Sequence, residues 1–162
     1  MGPVDIAERI LIIDDNKEFA DTLAEQLAEL GYQAHAVYGG NQGVEAFFNG
    51  DYTLIITDLS MPGLDGMDVL EAILSRDPKA TVLMITGYGT IENAVKAIKM
   101  GAFDFIPKPF KLAELDVIIR RALDRKDLRR QFSVFRGLAW GLGICIPIWI
   151  AFGYFLYKYV IN

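Results

Sequence analysis

Five polar residues each stand where a short apolar run ends. Asp14 and Asp15 follow Ile10–Ile13, Asp58 follows Tyr52–Thr57, Thr86 closes Val82–Thr86, and Lys108 follows Phe103–Ile106 within Pro107-Lys108-Pro109. Three carboxylates that share one crevice repel each other and raise each other's pKa unless a cation joins them. A ligand set made only of hard oxygens, with space for water, suits Mg²⁺ better than zinc. No Cys/His cluster competes for the metal: the chain has one cysteine, Cys145, and one histidine, His35.

The apolar runs that carry these residues are too short for helices and rich in β-branched and aromatic side chains, as buried strands are. Ala34–Val37 is a weaker fifth run. Helix-period segments lie between them. Phe19, Leu23, Leu27 and Leu30 form one stripe, stopped by Gly31, and Val44, Phe47 and Phe48 form a second. Val69, Ile73 and Leu74 form the third, and Ile91, Val95 and Ile98 the fourth, stopped by Gly101. Leu112, Leu115, Ile118 and Ile119 open a fifth. Five strands alternating with five helices predict an α/β, doubly wound parallel sheet covered on both faces. In such sheets the ligand site lies beyond the carboxyl ends of the strands, where all five polar residues stand.

Each residue also has a purely structural reading. Asp14 and Asp15 can cap a helix starting near Asn16, and Asp58 can serve the turn DLSMPGLDG. Lys108 can be a surface lysine, and Thr86 a β-former closing a strand. Taken together, these readings require four coincidences.

The acidic pair, lone Asp, Thr and Lys-Pro, each at its own strand end, resemble the receiver domain of two-component response regulators, from about Ile6 to Asp127. The stretch GYGTIENAVKAIKMGAFDFIPKPF is similar to receivers of the nitrogen-regulator group, whose members usually continue into ATPase and DNA-binding domains. The resemblance implies a flavodoxin-like strand order of 2-1-3-4-5. It implies that Asp58 is the phosphoacceptor, taking a phosphoryl group from a histidine kinase in a Mg²⁺-dependent reaction. Asp14 and Asp15 would hold the metal, Asp15 most directly, with Asp58 and the backbone carbonyl of Ser60. Lys108 would pair with the phosphoryl oxygens, and Thr86 would donate its hydroxyl and move inward. Phe105 would be the switching aromatic; as Phe rather than Tyr it lacks the hydroxyl's hydrogen bond, and a core role competes. The Lys108–Pro109 bond is expected to be cis. Such a domain is a self-catalysing phosphoacceptor rather than a turnover enzyme. His35, in the polar part of the weak second strand, is expected at the surface.

The net charge of −5 hides an asymmetry. Met1–Ile119 carries 19 acids and 8 bases, a net of −11, whereas Arg120–Arg136 carries 7 bases and 2 acids. An acidic body argues against nucleic acid as a partner. A basic segment beside an apolar one points to anionic lipid headgroups. Gly137–Tyr157 is uncharged for 21 residues, enough at ~1.5 Å per residue to cross the ~30 Å hydrocarbon core. Trp140, Tyr154, Tyr157 and Tyr159 suit the interfaces, and the preceding bases place the body on the cytoplasmic side. The expected organisation is a receiver at 1–127, a basic juxtamembrane segment at 128–136 and a transmembrane helix at 137–160, where relatives carry an output domain. The N-terminus has neither a signal peptide's basic region nor a myristoylation motif. Two functions follow: a membrane-tethered phosphorylation switch read by a membrane protein partner, or an accessory subunit of a membrane complex that uses the receiver for docking.

Overall fold

The computed structural model describes residues 8–87 and 90–124. The expected basic segment and apolar span lie outside the described residues, among which no helix is long and apolar enough to cross a membrane. A first compact unit runs through Leu123.

Strands β1 (Arg9–Ile13), β2 (Gln33–Val37), β3 (Leu54–Asp58), β4 (Val82–Thr86) and β5 (Asp104–Pro107) alternate with four helices, and a fifth closes the series. These are α1 (Lys17–Glu29), α2 (Gly40–Asn49), α3 (Gly66–Arg76), α4 (Ile91–Met100) and α5 (residues 112–124). The strands pair in parallel in the order β2-β1-β3-β4-β5. Most strand boundaries fall within one residue of the sequence expectation, and the start of β3 moves by two. β3 begins at Leu54 rather than Tyr52, and Tyr52 instead packs its ring parallel to that of His35. His35 is exposed, as expected.

Successive strand residues point to opposite faces, so the same strands feed two cores. Leu11, Ile13, Ile55 and Met84 pack towards α2, α3 and α4. Ile10, Ile12, Ile56 and Ile85 pack towards α1 and α5, meeting Leu23, Leu27, Leu115 and Ile119. A fully buried Leu or Ile of this kind stabilises the fold by ~1.5–3 kcal/mol. Tyr32, just past α1, donates its hydroxyl to Asp116 of α5 at 2.7 Å, and Arg120 grips the same carboxylate at 2.9 Å.

The helix ends follow from local chemistry. Gly31 and Gly101 take left-handed φ values of 94° and 109°, which L side chains resist, and so stop α1 and α4. Asp65 and Asp68 form a reciprocal capping box at the start of α3. In α4 the apolar stripe that marks the helix in the sequence does not face the sheet. Ile91, Val95 and Ile98 are 84%, 46% and 47% exposed, and the small Ala97 is the residue that is fully buried. Alanine lets the helix lie close against its neighbours, so the larger side chains face outward.

Candidate functional site

The chain leaves β1 for β2 on one side and returns to β3 on the other, so a crevice opens between the carboxyl ends of β1 and β3. Ile13 and Thr57 are register partners, which sets the next residues, Asp14 and Asp58, side by side at the mouth of that crevice. Both are buried, at 3% and 7% exposure. Lys108 reaches them from the loop after β5, where its backbone N–H donates to the Thr86 carbonyl at 2.7 Å. Its Nζ lies 2.8 Å from Asp14 Oδ2 and 2.7 Å from Asp58 Oδ1, so one ammonium bridges two carboxylates.

The remaining carboxylate oxygens are held by the backbone. Asp14 Oδ1 accepts from the Asn16 N–H at 2.8 Å, and Asp58 Oδ2 accepts from the Ser60 N–H at 2.6 Å. The capping role is taken by Asn16, whose side chain accepts from the Phe19 N–H, which frees Asp14 from the structural reading. Asp15 is exposed, in contrast to its buried neighbour Asp14. Thr86 is fully buried at the end of β4, and Phe105, partly buried, packs against the α2–α4 core. The Lys108–Pro109 bond is cis.

Burial pushes the Asp14 carboxyl above the usual aspartate range, and the nearby Asp58 charge adds to this. Lys108 and the Asn16 N–H oppose the rise without cancelling it. Burial pulls Lys108 down, but hydrogen bonds and charge from Asp14 and Asp58 outweigh it and hold the ammonium above the usual lysine range. Two buried carboxylates share one ammonium, a formal excess of one negative charge. The site's donor chemistry, all oxygen with two carboxylates buried, fits a hard divalent cation. Among the described residues, no group of three acids is gathered closely enough to hold a metal as it stands.

Residues 10–120 match the family model of the response regulator receiver domain. The chain belongs to that family. It is 39% identical over 135 residues to the nitrogen assimilation regulatory protein NtrX of Azorhizobium caulinodans, covering 82% of this chain and 30% of that protein. It is 32% identical over 123 residues to the regulatory protein AtoC of Escherichia coli, covering 76% of this chain and 27% of that one. The chain thus spans about a third or less of the length of these curated relatives. A receiver domain from Clostridium thermocellum, 32% identical, superposes with a TM-score of 0.72 over 75% of this chain and 98% of that one.

Two features of this receiver's site carry no sequence signal. Gly66 opens α3 directly against the end of β3, and a Cβ there would sit 2.2 Å from the Asp58 carbonyl oxygen. Gly43 of α2 is pressed likewise on Ile13, the residue before Asp14. Both glycines let a helix approach the strand ends that carry the acids, and in the sequence they look like any other loop or helix glycine.

Proposed function

We propose that this receiver is a phosphorylation switch with Asp58 as phosphoacceptor, and that it works at a membrane. The observation that carries the reading is the Lys108 ammonium bridging Asp14 and Asp58, both buried at the strand ends. One Asp58 oxygen forms a bond to phosphorus as the P–N bond of a kinase phosphohistidine breaks. The electron pair leaves with the imidazole, and Asp58 becomes an acyl phosphate. The Ser60 N–H steadies the Asp58 carboxylate during attack. Lys108 transfers its contacts to the phosphoryl oxygens, and the Thr86 hydroxyl donates to them. Asp14, Asp15, Asp58 and the Ser60 carbonyl would hold Mg²⁺, which would neutralise charge on the transferring phosphoryl group and orient it. The repositioning of Thr86 and Phe105 shifts the population of the α4–β5–α5 surface, where Ile91, Val95 and Ile98 stand exposed.

Incubation with an autophosphorylated histidine kinase tests this chemistry. Label should pass to Asp58 and be removed by hydroxylamine, as an acyl phosphate is. Label that resists hydroxylamine would place the phosphoryl group on another residue type.

The membrane reading is supported by the uncharged run from Gly137 to Tyr157 and the seven bases of Arg120–Arg136 before it. It assigns the receiver to residues 1–127 on the cytoplasmic side, a basic lipid-facing segment to 128–136 and a single membrane span to 137–160. Under alkaline carbonate extraction the chain should stay with the membrane pellet, and a variant with Ile148→Lys and Phe152→Lys should leave it. Release of the unmodified chain would contradict the span. The exposed α4 stripe also serves a second reading, docking within a membrane complex. A membrane partner retained equally by wild type and Asp58→Asn would favour that reading.

A further inference from the structure

The Lys108 ammonium has three N–H groups, and two carboxylates engage it. The ring of Phe19 in α1 also lies against it, with its centroid 3.9 Å from Nζ. An ammonium this close to an aromatic face is attracted by the ring's negative π surface. The ring is itself held edge-on by Phe110, with centroids 6.3 Å apart and planes at 85°. Phe110 stands two residues beyond Lys108 in the same loop. The aromatic pair therefore ties α1 to the segment that carries the lysine.

Ordinary core packing does not account for this placement by itself. Phe19 is partly buried against the α1–α5 core, yet it also walls a groove of about 590 Å³ with Thr22, Gln26, Lys108, Phe110 and Leu112. Lys108 keeps 23% of its side chain exposed. A lysine on a flexible four-carbon stem beside an open groove has a path to water, where its charge is well solvated. The Phe19 ring lies against the ammonium where both line the groove.

We propose that Phe19 is a positioning residue for Lys108, its ring holding the ammonium against Asp14 and Asp58. The functional consequence rests on the phosphoacceptor reading above; the placement does not. Without the ring, the ammonium spends part of its time in the groove, and fewer molecules present it to an incoming phosphoryl group. Leu keeps most of the apolar volume and removes the π face, whereas Tyr keeps both.

The test is the rate of phosphorylation by acetyl phosphate at saturating Mg²⁺. Phe19→Leu should be about tenfold slower than wild type and Phe19→Tyr within about threefold of it. In a Lys108→Met background Phe19→Leu should slow the reaction no further, because the residue through which Phe19 acts is gone. Equal slowing by Phe19→Leu in both backgrounds, or Phe19→Tyr as slow as Phe19→Leu, would overturn the proposal. If wild type takes up no phosphoryl group, the phosphoacceptor reading fails, and NMR decides the placement separately. The Lys108 ε-methylene protons should be shifted upfield by the ring in wild type and return to ordinary positions in Phe19→Leu. Identical shifts in the two proteins would remove the contact.

Discussion

Lys108→Met is expected to accept a phosphoryl group from acetyl phosphate about 10²–10³-fold more slowly than wild type, the loss typical of removing one preorganised donor to developing charge. The same change is expected to destabilise the domain. It leaves Asp14 and Asp58, 3% and 7% exposed, without their shared cation. Breaking a fully buried pair costs ~3–5 kcal/mol, and the 23% exposure of Lys108 lowers this to about 2 kcal/mol at neutral pH. That corresponds to a fall of roughly 10 °C in melting temperature.

The pH dependence has a definite sign. Asp14 already titrates above its unfolded value of 3.8, so the folded state binds the proton more tightly than the unfolded chain does. Stability therefore declines as pH rises from 3.8 through the raised folded value. Removing Lys108 raises that folded value further, so the variant should lose more stability than wild type between acid and neutral pH. At the alkaline end the order reverses. Lys108 is raised above 10.5, so its contribution is complete below that pH and is lost as pH climbs through the folded value. Wild type should show that alkaline loss and Lys108→Met should not. Melting curves of both proteins from pH 4 to pH 11 check each half. A gap between them that stays constant with pH would show that Lys108 does not neutralise the acids.

Gly66→Ala has the second large expected effect. In the first turn of an exposed helix the change would favour folding by up to ~1 kcal/mol, since Ala is the better helix former. Here the new Cβ would lie 2.2 Å from the Asp58 carbonyl oxygen and 2.9 Å from the Leu59 Cα. Both obstacles are backbone, so no side chain can rotate away, and the start of α3 and the end of β3 must separate. The expected cost is about 2–3 kcal/mol, in the range of core overpacking, with phosphorylation slowed because Asp58 moves with its backbone. Gly63→Ala supplies the contrast. Gly63 has φ of 81° but nothing within 4 Å of its Cβ position, so the change should cost ~1–2 kcal/mol of backbone strain and leave Asp58 chemistry near wild type. Chemical denaturation and phosphorylation rates on both variants separate the two effects. Equal rates in Gly66→Ala and Gly63→Ala would mean the α3–β3 contact does not position the acid.

The strands and the meeting of Asp14 with Asp58 were readable because both follow from the placement of short apolar runs, whereas Asp15, expected in the same crevice, is exposed. Ile10–Ile13 and Val82–Thr86 are too short and too β-branched for helices, and parallel topology then delivers the residue after each strand to one end of the sheet. That rule brings Lys108, Asp14 and Asp58 to one crevice, and the bridge between them is visible only in the structure. The direction of the α4 stripe did not follow, because Ile91, Val95 and Ile98 have helical spacing whichever face is buried. The structure buries Ala97 and leaves the three larger side chains outward. Phe19 and Gly66 were invisible for another reason. Phe19 sits on an ordinary core stripe, and its meeting with Lys108 joins segments far apart in the chain. Gly66 is read as turn composition until the backbone of Asp58 is seen beneath it.

The proposed function makes the buried acids and their lysine a phosphoacceptor site. Its most direct test is intact mass after incubation with Mg²⁺ and acetyl phosphate, for wild type and Asp58→Asn. Wild type should gain one labile phosphoryl group, and the gain should be absent without Mg²⁺ and absent in Asp58→Asn. A wild type that stays unmodified while a control receiver is labelled, or an Asp58→Asn variant that gains the same labile mass, would contradict it.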